Sequence, residues 1–217
     1  MLYTSYTPTK DVNTSPAENW FNDVILENIL LGALIKLQAI NASEIKKMME
    51  FIISLAQDEQ QVGKSHEMMA SQRLVKFYET EYCFPIEQAQ DVFDMVESVT
   101  NHYAASDIFY ANFPSEVRFI RGDKGNLLTP TLGRGSVFFA VQSHPAYGSN
   151  YLNYFKAVEQ EFIKLGGLPH WGKLYFENPL VRHPNAEAFE NVRKHYDPNG
   201  KFLNPFLQKL VNGESVG

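Results

Sequence analysis

Two stretches of the 217-residue chain hold polar residue types at spacings that could do chemistry. In the first, Ser115 to Asp123, polar and apolar residues alternate. Glu116 and Arg118 would project from one face of a strand, Val117 and Phe119 from the other. The second, Gly166-Gly167-Leu168-Pro169-His170-Trp171-Gly172-Lys173, reads as a helix stop, a rigid turn and a strand that opens on Lys173. On a shared sheet face, a carboxylate, a guanidinium and an ammonium would converge. Such a surface suits a polar, hydroxyl-rich small molecule beside an electron-rich cofactor. Gln142 and His144 lie at face-sharing positions of a third apolar strand. Spacing alone also fits a solvated face laced with weak ion pairs. Against that, Arg118 and Lys173 sit in apolar segments, where an unpaired charge is costly.

Other chemistries find less support. The six histidines are scattered, with no pair four residues apart, which argues against a zinc or iron site. There is no Gly-x-Gly-x-x-Gly and no phosphate-binding loop, so little or no FAD binding by this chain alone is expected. No serine lies in a nucleophile elbow, and the single cysteine, Cys83, reads as a small core residue rather than a nucleophile. A formal charge of -6 argues against nucleic acid as a partner. One cysteine permits no internal disulfide, and Met1 to Ser5 lacks the start of a secretory signal. A reducing, cytoplasmic setting is expected. The apolar run Val24 to Ile40 is interrupted by Glu27 and Lys36 and reads as an amphipathic helix, with a peripheral membrane face as the secondary reading.

The elements that must position these residues follow from periodicity. Residues 1–15 read as an extended arm, and Ser15-Pro16-Ala17-Glu18 starts a helix running to about residue 40. Ser43 caps a second helix bearing Ile45, Met48 and Ile52, and 57–70, with His66, form a polar loop. Strands are expected over 74–84, 115–123, 127–131, 136–143 and 172–177. Helices are expected from Pro85 to about Tyr103, over 151–165 capped by Ser149 or Asn150, and from Asn185 to about His195. Phe202 to Leu210 forms an apolar tail. The expected fold class is α+β: one domain over 1–217 with an antiparallel or mixed sheet and helices on one face.

At this point the residues resemble a family. Ser115 to Asp123 with Leu128-Thr129-Pro130 is similar to the E-V-R-x-x-x-x-D…L-S-P block of the aldonolactone oxidases, the L-gulonolactone and D-arabinono-1,4-lactone oxidases of vanillyl-alcohol-oxidase type. Residues 166–173 resemble their G-G-R-P-H-W-G-K, and Asp197 to Leu207 their D-P-x-G-x-F-L-N-x-Y-L. Asn19-Trp20-Phe21 and Glu81 to Pro85 are weaker echoes. The blocks run in the family's order over nearly the whole chain.

The resemblance implies the substrate, or cap, domain of an FAD enzyme, with a sugar lactone as substrate and FAD held by another domain or a separate chain. It implies catalytic roles for Glu116, Arg118 and Lys173, substrate contacts from Glu116, Gln142 and Lys173, and flavin contacts from Arg118, His170 and Asn204. Hydride would pass from a sugar carbon to the flavin. Leu168 stands where the family motif has arginine, and Tyr175 where it often has histidine, which implies either a different substrate preference or relaxed selection on activity. The competing reading is a non-catalytic remnant or binding module of the same fold. The tail from 197 to 217 would dock on the flavin domain. With that surface uncovered, Phe202, Leu203, Phe206, Leu207 and Leu210 are expected to be buried by self-association into a homo-oligomer, ahead of docking a partner or folding onto the chain's own core.

Overall fold

The structure is a computed structural model. It describes Gly32, residues 44, 45, 47, 48, 50, 51 and 62–64, and residues 74–145 and 150–215. The expected arm, the helix over 16–40 except for Gly32, which is helical, and His66 lie outside the described residues. The chain divides into two compact units, Met1–Phe77 with His144–Tyr147, and Tyr78–Ser143 with Gly148–Gly217. In the first unit, Ile45, Lys47, Met48, Glu50 and Phe51 are helical, as their spacing predicts.

The second unit is built on a four-stranded antiparallel sheet of order β2-β3-β1-β4. Its elements are β1 (Tyr78–Pro85), a 3-10 turn at Ile86–Gln88, α1 (Ala89–Ala105), β2 (Glu116–Ile120), β3 (Ser136–Ser143), α2 (Tyr151–Lys164), β4 (Leu168–Pro169), α3 (Pro179–Arg182), α4 (Ala186–Tyr196) and α5 (Pro205–Val211). The sheet is antiparallel and the class α+β, as expected. Tyr82, Phe84, Val137, Phe139 and Val141 project from one face and pack against Val92 and Val96 of α1 and Tyr154, Phe155, Val158 and Phe162 of α2. Period-two alternation in the strands and period-3.6 alternation in the helices meet in one aromatic core.

Helix α2 ends in a Schellman motif. Gly166 takes φ +76°, its N–H donates to the Ile163 carbonyl at 2.9 Å, and the Gly167 N–H donates to the Phe162 carbonyl at 2.8 Å. A Cβ on Gly167 would lie 2.5 Å from the Phe84 ring, so only glycine lets the chain turn this tightly onto β1. The turn delivers Leu168 and Pro169 to the edge of β1, opposite Cys83 and Tyr82.

Two expected strands are not strands. Over Leu127–Thr131 the chain turns. Its carbonyls are taken by side chains: Asn185 Nδ2 donates to Leu127 at 2.9 Å, Trp171 Nε1 to Leu128 at 2.8 Å, and the His183 Nε2 position faces the Thr129 carbonyl at 3.3 Å. Over 172–177 the N–H groups are also diverted. Lys173 donates to the His170 carbonyl, and Phe176 and Glu177 donate to the Glu159 carboxylate. A ladder needs those groups free, and here they are used. Asn150 and Asn185 precede α2 and α4, but neither makes a side-chain cap bond; Asn185 spends its amide on Leu127. The tail forms α5, with Leu210 buried in the core, Phe206 against Tyr175 and Phe202 81% exposed.

Candidate functional site

The sheet face turned away from α1 and α2 carries the charges. Strand register sets its rows. Glu79 lies opposite Gln142. Glu81 and Glu116 both lie opposite Ala140, and Cys83 and Arg118 both lie opposite Phe138. Direct antiparallel partners share a face, so all of these side chains emerge together.

Arg118 starts on edge strand β2 and reaches across β3 to the central strand. Its Nε donates to Glu81 Oε1 at 3.1 Å, and its Nη2 donates to the same oxygen. The guanidinium lies 5.7 Å from the centre of the Phe138 ring. Ala140, opposite both Glu81 and Glu116, contributes only a methyl to this row. Glu116 is a weaker partner at 3.7 Å, half exposed. Burial opposes the charge on Arg118, but the carboxylates of Glu81, Glu116 and Glu79 outweigh it and raise its pKa above the usual guanidinium value.

Lys173 arrives from the other edge. After β4 the chain stays against β1, the His170 N–H donating to the Glu81 carbonyl at 2.9 Å and the Leu174 N–H to the Glu79 carbonyl at 3.0 Å. A turn between them aims Lys173 Nζ at Glu79 Oε2, to which it donates. Gln142 Nε2 donates to the other Glu79 oxygen at 3.3 Å. Central strand β1 therefore anchors two cations brought in from its two flanks. Glu81 is 1% exposed and Glu79 8%, so the anchors are buried. Glu81 Oε2 has no protein donor.

His170 sets its ring edge toward Phe138, 6.3 Å between centroids, and its Nδ1 accepts the Gly172 N–H at 3.1 Å. Glu116, Arg118, Lys173, Gln142 and His170 are thus brought to one surface. Asn204 makes its bond elsewhere: its side-chain oxygen caps α5, accepting from the Leu207 N–H at 2.8 Å. Tyr175 does not share the face of Lys173, because no strand forms there. It is buried in the core beside Trp171 and Phe206. The residues missed are Glu79 and Glu81. The signal was present: two same-parity carboxylates inside an aromatic strand, the same anomaly that marked Arg118.

This arrangement offers donors and acceptors in alternation, which is what a polyhydroxylated ligand requires. Among the described residues no group of His, Cys, Asp and Glu is arranged to hold a metal, and no helix is long and apolar enough to cross a membrane.

Comparison with known proteins bears on the same residues. The family profile described as D-arabinono-1,4-lactone oxidase matches residues 3–210. The L-gulono-1,4-lactone dehydrogenase of Mycobacterium tuberculosis is 30% identical over 151 residues, 68% of this chain and 34% of that protein. The L-gulonolactone oxidase of Bos taurus is 27% identical over 206 residues, 90% of this chain and 45% of that protein. The alditol oxidase of a Streptomyces species is 28% identical over 141 residues, 62% of this chain and 32% of that protein. The chain spans from about a third to under half the length of these relatives. A match that runs through the β2 block, the segment bearing Lys173 and the start of the tail places the chain in the D-arabinono-1,4-lactone oxidase family.

Proposed function

We propose that the chain is the substrate-binding (cap) half of a flavin-dependent sugar-lactone oxidoreductase, with FAD held by another domain or chain. The observation that carries this is the polar sheet face, where two cations and an exposed carboxylate surround a floor too buried to need solvent. Arg118 keeps 43% of its side chain exposed and Lys173 30%, so each can donate outward while its inner side is held. In this reading Arg118 and Lys173 donate to the hydroxyl oxygen of the reacting carbinol and to neighbouring lactone oxygens. Glu116 and Gln142 accept from and donate to its hydroxyls, and the three charged residues do the catalytic work.

The donor set also fits one edge of a flavin. Arg118, seated over buried Phe138 with His170 on the same face, offers a cation and an imidazole to a flat, electron-accepting group. Arg118, His170 and Asn204 would be this chain's contacts to it. The chemistry FAD supplies when bound is acceptance of a hydride from a carbinol carbon. The cations hold the oxygen bonded to that carbon and favour negative charge nearby. Exposed Tyr196 and Phe202 mark the surface proposed to meet the flavin domain.

Calorimetric titration of the purified chain with L-gulono-1,4-lactone tests the reading. Saturable binding that disappears in Arg118→Met is expected. A folded chain that takes up no lactone at tens of millimolar, alone and with a flavin domain added, overturns it.

A further inference from the structure

A face that holds sugars through arginine and lysine would ordinarily favour acids, because a carboxylate makes charge-assisted bonds to both. Here that preference is cancelled from beneath. Glu81 occupies Arg118 and Glu79 occupies Lys173. With Glu116 added, three carboxylates face two cations, leaving one negative charge in excess. Neither inner carboxylate can turn away. Both are buried, both are fixed by the β1–β3 register, and Gln142 holds the second oxygen of Glu79. An incoming carboxylate either breaks one of these pairs and strands a buried charge, or shares the outward N–H groups and meets the repulsion of the carboxylates already fixed there. A neutral hydroxyl or lactone oxygen takes the outward N–H groups and leaves the pairs intact.

We infer that Glu79 and Glu81 are specificity-determining residues that restrict this face to neutral polyhydroxy ligands, accepting a closed lactone and refusing the open-chain acid. This rests on the reading of the face as a lactone site. The distinction matters chemically because a lactone opens in water. Addition of water breaks the ring C–O bond, and the acid formed loses its proton at neutral pH. Substrate and hydrolysis product then coexist, differing by one charge. A site with free cations would fill with the product. Exposed Glu116 can swing aside and could not enforce the choice; the two buried carboxylates cannot.

The test is a pair of titrations on the full chain, one with L-gulono-1,4-lactone and one with sodium L-gulonate. The wild-type chain should prefer the lactone by about tenfold or more. Glu79→Gln keeps the shape and frees Lys173; gulonate affinity should rise about tenfold and become salt-sensitive, so that the preference for lactone over gulonate is lost. Glu81→Gln should act the same way through Arg118. Damage to the fold, followed by circular dichroism, would weaken both ligands together and cannot produce a gain. A wild-type chain that binds gulonate as tightly as lactone overturns the inference with no variant required, and so does a folded Glu79→Gln that gains nothing. If the wild type binds neither ligand, the proposed function fails, and a gain of gulonate binding in the variants still decides this point.

Discussion

The two faces of the sheet bury charge in different ways. On the helix-covered face, Glu159 of α2 is 2% exposed and is satisfied by fixed neighbours. Tyr82 Oη donates to it at 2.5 Å, the Phe176 N–H at 2.9 and 3.0 Å, and the Glu177 N–H at 3.2 Å. That carboxylate, the Tyr82 hydroxyl and two backbone donors form a closed set that pins the 172–177 segment to the core. The pKa of the Tyr82 phenol is driven far up by burial and by the charge of Glu159. On the opposite face, Glu79 and Glu81 are satisfied by long cationic side chains that remain partly in water. The first buried charge holds the fold. The other two hold tools.

The largest effect should come from breaking the helix-side set. Glu159→Leu strands the Tyr82 hydroxyl and two backbone N–H groups and should cost about 4 kcal/mol in urea unfolding. Because the pinned segment carries Lys173, lactone affinity of the remaining folded chain should fall, but by less than in a variant that removes Arg118; a complete loss of affinity would erase the contrast between the faces. Next, Arg118→Met leaves Glu81 buried without its cation and should cost about 3 kcal/mol, with lactone binding lost. Adding Glu81→Leu should restore most of the stability and none of the binding. Recovery of both, or of neither, would show that the pair does not separate position from stability.

A smaller effect isolates the reach across β3. Ala140→Leu places a branched side chain between Glu81 and Glu116, beside the path of the Arg118 side chain. It should cost about 1–2 kcal/mol and abolish lactone binding, since Arg118 can no longer lie across the strand. Unchanged binding would mean that Arg118 acts from another position. The smallest effect concerns the floor of the polar face. Burial pushes the Cys83 thiol up to about 11 from 9.0. The native chain should therefore resist thiol reagents at pH 8 until it unfolds. Because the folded-state value is the raised one, the associated stability is present below pH 9.0 and declines as pH rises through about 11. Rapid stoichiometric labelling of native chain would show that the floor is wet.

Much of this was legible because periodicity writes itself into sequence. The elements β1, α1, β2, β3, α2 and α4 follow from alternation, and the α2 stop from Gly166-Gly167. The turns at 127–131 and 172–177 did not follow. Their backbone groups are claimed by Asn185, Trp171, His183 and Glu159, residues far away in the chain whose arrival no local pattern announces. The site was half legible for a related reason. Arg118 and Lys173 stand out as cations in apolar segments, whereas Glu79 and Glu81 were concealed by the aromatic residues around them. A buried ion is informative only once its partner is known, and these partners lie 37 and 94 residues away.

That separation has a consequence during synthesis. Strand β1 is the first strand of its unit to be made, and it is the one that ends at the centre of the sheet. At the usual pace of translation, the 94 residues between Glu79 and Lys173 take roughly 5 to 20 s to add. Until β3 is made, Tyr78, Tyr82, Cys83 and Phe84 belong to a segment whose strand partners do not yet exist, the kind of segment that sticks to its copies on neighbouring ribosomes. Glu79 and Glu81, not yet paired and fully hydrated, place two negative charges on it. Before they orient the cations, these carboxylates are placed to act as gatekeepers, since like charges disfavour the pairing of such a strand with its copies.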